Sequence, residues 1–115
     1  MRYHSKRWIG GIVLFLTIVI PVYADEALAK VKGCMTCHTY EKRLIGPTWQ
    51  DMARKYAGRK DAEAKLTEYT LKGTPMPNGL GWQKEGKSSL PFMPASIGLR
   101  PEEAAKLSRW TLEQK

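Results

Sequence analysis

Cysteine and histidine are both scarce in this 115-residue chain, with two of each: Cys34, Cys37, His4 and His38. A structural zinc site needs four protein ligands, and two thiols with one neighbouring imidazole leave it one short. The longest apolar run, residues 9–20, has 12 residues, fewer than the roughly 20 that span a bilayer. Strand-like alternation is missing, as are internal repeats and low-complexity tracts. Acidic residues are the minority, 11 against 19 basic ones. The basic residues are nevertheless scattered (Lys30, Lys32, Lys42, Arg43, Arg54, Lys55, Arg59, Lys60), and no basic stripe interleaved with aromatics marks a nucleic-acid surface. Such a distribution fits either a solvated face or docking to acidic protein partners.

Against that scarcity stands the run Cys34-Met35-Thr36-Cys37-His38. Two thiols three positions apart, followed at once by an imidazole, have the spacing at which a c-type haem is attached. In that chemistry each sulfur joins a haem vinyl group as a thioether, and the histidine gives iron its fifth ligand. Rival chemistries explain less of the run. A thioredoxin-like pair needs a βαβ setting, and a plain disulfide gives no reason for the adjacent histidine. The run predicts one covalent haem c, held by Cys34 and Cys37 with His38 on the iron.

The N-terminus agrees with this from an independent direction. Residues 1–24 carry a basic start (Arg2, Lys6, Arg7), the apolar run, Pro21 and the small-residue site Val22-Tyr23-Ala24, the three parts of a secretory signal. Cleavage after Ala24 is expected, which removes His4 and delivers residues 25–115 to the periplasm as one domain. The 91 residues that remain are near the size at which side chains alone make a marginal core, and a buried haem would enlarge it. The leader carries three of the 19 basic residues and none of the acidic ones. The mature charge is therefore +5, and two haem propionates bring it to about +3.

Helices separated by Gly and Pro account for the rest of the pattern. Residues 25–32 start with acidic side chains and place Ala27, Leu28 and Val31 on one face. Residues 48–57 repeat Trp49, Met52, Ala53 and Tyr56 at helical spacing, with Gly58 as the stop. Asp61 is placed to cap a third helix carrying Ala62, Leu66 and Tyr69, closed by Gly73. Pro101, Glu102 and Glu103 open a last helix with Ala104, Leu107, Trp110 and Thr111 on its stripe. Between Gly73 and Pro101 lies a Gly- and Pro-rich loop, of a length that is uncommon without a function. Two methionines in it, Met76 and Met93, share a rigid Pro-flanked setting, and the residues themselves leave both open as a second iron ligand. Met35, between the two cysteines, cannot reach the other haem face, and Met52 sits on a helix stripe, where a core role fits better.

Taken together, Gly33-Cys34-Met35-Thr36-Cys37-His38, Ile45-Gly46-Pro47 before an aromatic helix, a late Met-Pro and Leu107-Ser108-Arg109-Trp110 in the last helix resemble the small bacterial class I cytochromes c. They do so in the family's order over residues 25–115. The resemblance implies an all-α cytochrome c fold of three to five helices around the haem, first and last helices crossing, with Gly33 allowing close approach near Trp110. It implies Met93, the last Met-Pro before the final helix, as the sixth ligand, Pro47 as the carbonyl that accepts the His38 Nδ1–H, and Trp82 as an indole donor to a propionate. Two departures stand out: Arg100 replaces the usual Ser or Thr before Pro-Glu-Glu, implying a weaker helix cap, and residues 83–90 lengthen the loop. The function so implied is one-electron carriage in a periplasmic respiratory chain, between redox protein partners with acidic docking surfaces, and not catalysis of a substrate reaction. The alternative is a monohaem subunit of a periplasmic oxidoreductase complex, such as a sulfur-oxidising enzyme.

Overall fold

The computed structural model describes residues 10–17, 25–74 and 80–115. The helices over 49–56, 62–72 and 101–112 follow the expected apolar stripes. Asp25 and Glu26 open α1 (Asp25–Val31), and Lys30 in its last turn pairs with Glu26 at 3.0 Å, charges placed to suit the helix dipole. Helix α2 (Trp49–Tyr56) starts at Thr48, whose Oγ1 accepts the Asp51 N–H at 3.1 Å, and it buries Trp49, Met52, Ala53 and Tyr56. Helix α3 (Ala62–Lys72) stops at Gly73, whose φ of 80° ends the helical path. A short α4 (Leu80–Lys84) and the long α5 (Pro101–Leu112) complete the order, and the described residues contain no strand.

Helix α5 is the hub, packing on α1, α2 and α3. The core joins Ala29, Trp49, Met52, Leu99, Ala104, Leu107 and Trp110, with Leu28, Met35, Leu71 and Trp82 packed against it. Trp49 and Trp110 meet edge to face, with centroids 4.7 Å apart, a favoured aromatic geometry. Met52 is thus a core residue, as its stripe suggests.

Five local expectations change. On α1 the packed side chains are Ala29 and Leu28, while Ala27 and Val31 are exposed, Val31 at 81%, because contact with α5 is made one position along from the expected stripe. Gly33 does not serve close packing, because a Cβ there would meet no atom within 4 Å. Its φ of 79° makes it a glycine position, and the small side chains in the contact between α1 and α5 are Ala29 and Ala104, both fully buried. Asp61 precedes α3 without capping it, since Arg59 takes its carboxylate at 3.0 and 3.1 Å. The loop after Gly73 is interrupted by α4. Finally, the Arg100 side chain has no acceptor to offer the α5 N-terminus, but Glu103 reaches back to the Arg100 N–H at 3.0 Å and supplies half of a capping box.

Residues 10–17 are exposed and form no helix, and no described helix is long and apolar enough to cross a membrane. The rest of the expected leader, with the cleavage site at Ala24, lies outside the described residues, as do His4, Met76 and residues 75–79 generally.

Candidate functional site

The end of α1 sets up the site. Gly33 turns the chain through its left-handed conformation into a 3-10 turn, Cys34–Thr36, after which the Cys37 and His38 N–H groups both donate to the Cys34 carbonyl at 3.2 and 3.0 Å. That tight winding turns Cys34, Cys37 and His38 toward one cavity, of about 400 Å³, which Met52, Trp82 and Met93 also line. Its volume lies within the range of small-molecule and cofactor sites. Cys34 and Cys37 stand half-buried as free thiols, not joined to each other. Burial pushes the Cys34 thiol up.

His38 is 7% exposed, and its Nδ1 lies 2.7 Å from the Pro47 carbonyl oxygen. A carbonyl can only accept, so Nδ1 carries the proton and Nε2 keeps its lone pair. Burial holds the imidazole below its ordinary pKa, and the bond to Pro47 offsets this only in part. The ring is therefore a neutral, oriented donor, the form in which histidine ligates metals. Trp49 tilts against it at a centroid distance of 5.1 Å. The loop between the turn and α2 is clasped at both ends, by Gly46 N–H to Cys37 O at 2.9 Å and Trp49 N–H to Thr39 O at 3.1 Å.

Sequence reasoning gave three neighbouring residues no role. Gly46 sits against the His38 ring: a Cβ there would fall 2.6 Å from Cε1 and 3.0 Å from Nδ1. Its motif, Ile45-Gly46-Pro47, was visible, but the contact was not. Ser88, buried, and Ser89 tie the lengthened loop to this side of the site. The Ser88 hydroxyl lies 2.9 Å from the Ile45 carbonyl, and the Ser89 N–H donates to the same oxygen at 2.9 Å. Arg43 adds a bond to the Gly86 carbonyl at 2.6 Å. Those 45-to-89 contacts had no sequence signal.

Trp82 comes from α4, half-buried, with Lys55 Nζ 4.0 Å from its ring centroid. Met93 is half-buried in the Pro91-Phe92-Met93-Pro94 run. The donor set fits a covalently held haem: two unpaired thiols, a neutral imidazole and a thioether line one cavity. Trp49 Nε1–H, moreover, is a buried donor with no acceptor among the described residues, a polar demand the described residues leave unmet.

Comparison with known proteins reaches the same chemistry. Residues 26–114 match the cytochrome c family model. The chain is 44% identical over 94 residues to cytochrome c2 of Rhodocyclus tenuis, covering 80% of this chain and 95% of that one. It is 40% identical to cytochrome c-552 of Hydrogenobacter thermophilus, covering 81% and 84%. The crystal structure of wild-type Nitrosomonas europaea cytochrome c552 superposes with a TM-score of 0.64 at 29% identity, covering 78% of this chain and 99% of that one. With the thiol pair, the braced imidazole and the helical frame all falling inside the matched span, the chain belongs to the cytochrome c family, as one of its small bacterial monohaem members with covalently bound haem c.

Proposed function

We propose that this electron-carrying cytochrome works in a bacterial periplasm as a respiratory shuttle, with His38 and Met93 as the axial ligands of a haem held by Cys34 and Cys37. The observation that carries the reading is the His38 brace: Nδ1–H donates to the Pro47 carbonyl at 2.7 Å in a buried setting, leaving Nε2 for a metal in a cavity that Met93 shares. When bound, haem c supplies a one-electron iron couple, and thioether ligation favours the ferrous form and raises its potential. The protein's part is orientation and exclusion. Pro47 fixes the imidazole tautomer and raises its basicity, while Trp49 and Gly46 stop the ring from turning. A site filled by His and Met offers no open position to a substrate, which suits carriage over catalysis. Removal of residues 1–24 as a secretory signal belongs to the same reading, since the basic start, apolar run and small-residue site have that form.

Carbon monoxide tests the ligand set, because it binds ferrous iron only where a position is open. Wild-type ferrous protein should not take it up, and Met93→Ala should, with loss of the sulfur-to-iron charge-transfer band of the ferric form. If Met93→Ala keeps both band and resistance while Met76→Ala loses them, the ligand is Met76. Rapid uptake by the wild type would replace the carrier reading with an open-iron protein.

A further inference from the structure

We infer that Thr74 is a positioning residue for Met93, a two-point backbone clamp that limits how often the thioether leaves the iron; this rests on the proposed ligation by Met93. The prolines at 91 and 94 have no N–H to give, so between them only Phe92 and Met93 can tie the segment down as backbone donors. The Met93 N–H donates to the Thr74 hydroxyl oxygen at 2.6 Å, and the Thr74 N–H donates to the Met93 carbonyl at 2.9 Å. One residue thus holds both polar groups of the Met93 backbone. A third bond, Ser96 N–H to the Thr70 carbonyl at 3.1 Å, continues the strap along the end of α3. Gly73 makes the approach possible: a Cβ on it would lie 2.7 Å from the Met93 carbonyl oxygen and 2.9 Å from the Ala95 nitrogen, and its φ is 80°. The clamp anchors a segment of irregular chain to a helix that is itself packed on α5.

The two bonds differ in what they need from residue 74. Its N–H is present in any residue but proline, whereas the acceptor for Met93 N–H is the threonine hydroxyl, and valine of the same shape lacks it. Loss of that acceptor should leave Met93 on the iron at equilibrium but let it detach more often.

The test uses the ferric haem-loaded protein and free imidazole, which enters the coordination sphere only when the methionine leaves. Thr74→Val should keep the sulfur-to-iron band and bind imidazole about fivefold faster than wild type, the factor that a typical net hydrogen bond represents. Thr74→Ser should return the rate to near the wild-type value. Thr67→Val, which removes a hydroxyl that joins α3 to Ser108 of α5 at 3.1 Å, controls for general loosening and should not change the rate. Equal imidazole rates in Thr74→Val and wild type would overturn the clamp, and so would equal acceleration by Thr67→Val. A Met93→Ala variant that keeps the band would instead overturn the ligand assignment, a different result from either.

Discussion

At position 46 glycine is required by a ring, not by a turn. Its backbone does not adopt positive φ, so any residue could follow the chain path, but a Cβ would lie 2.6 Å from His38 Cε1. Neither side can give easily, because the ring is held by Pro47 on one edge and Trp49 on its flank. Gly46→Ala should therefore disturb the imidazole: an altered low-spin haem spectrum, with a stability loss of about 1–3 kcal/mol, as for other overpacked sites. Gly58→Ala is the useful contrast. That glycine has φ 75° and open space around its Cβ position, so the substitution should cost about 1–2 kcal/mol in left-handed strain and leave the haem spectrum alone. Denaturant titration and absorption spectra of the two variants separate the cases, and an unchanged spectrum in Gly46→Ala would mean that the ring is free to move. The histidine could be read from sequence because two thiols beside an imidazole carry their chemistry in their spacing. Gly46 could not, since ring contact at a distance of eight residues leaves no periodic trace.

The α2 stripe was legible for the same reason that spacing was: Trp49, Met52, Ala53 and Tyr56 are buried on one face, and burial imposes the period of 3.6 residues. The seven-residue α1 is too short for that period to fix the face, and there Ala29 is buried while Val31 is exposed. Ends were less legible, because a cap depends on which partner captures the polar group. Asp61 has the right chemistry for a cap, yet Arg59 two residues away takes it. Helix α4 leaves no trace in the sequence pattern because Leu80 and Gly81 follow a Gly- and Pro-rich stretch that reads as loop, and the tie to α2 is tertiary, through Lys55 on the Trp82 ring and Lys55 to Glu85 at 3.4 Å. The start of α5 shows a third case, where Glu103 does what residue 100 cannot. Its carboxylate accepts the Arg100 N–H and pairs with Lys32 at 3.2 Å, beside the end of α1. These partners, the Arg100 N–H foremost, pull its pKa from 4.5 to about 2. A folded pKa below the unfolded one means that the unfolded chain binds more protons between about pH 2 and 4.5, so stability rises with pH across that window. The contribution should be fully present above pH 4.5 and fade as pH falls toward 2. Glu103→Gln should thus melt lower than wild type at neutral pH, with the gap closing in acid. A gap that stays constant down to pH 2 would show that packing, not charge, is what the substitution removes.

Over the whole molecule, charge and apolar surface are arranged differently, and this separates how a partner is found from how it is held. Many cations are already matched within the fold, among them Lys30, Lys32, Arg59, Lys106 and Arg109. Lys42 and Arg43 make no ion pair among the described residues, and they stand three and two residues before Ile45, which lines the cavity. Large apolar side chains stand exposed along the cavity lining, with Ile45, Leu90 and Phe92 each 38–44% exposed. With residues 1–24 removed, as proposed, a partner would be drawn in by a net charge of about +3 on the haem-loaded domain and contacted through apolar surface, so charge should act on association and hardly on the bound geometry. Raising ionic strength from about 0.01 M to 0.15 M shortens the screening length from roughly 30 Å to 8 Å, and the second-order rate of electron transfer with an acidic redox protein should fall accordingly. Lys42→Gln should flatten that salt dependence more than Lys60→Gln, because Lys42 belongs to the loop that carries the cavity-lining Ile45, Gly46 and Pro47, whereas Lys60 lies in the connection between α2 and α3, none of whose residues lines the cavity. Stopped-flow rates across a salt series measure both effects. A flat or rising series would mean that the partner is met through the apolar rim alone, with the scattered lysines acting only as a solvated face.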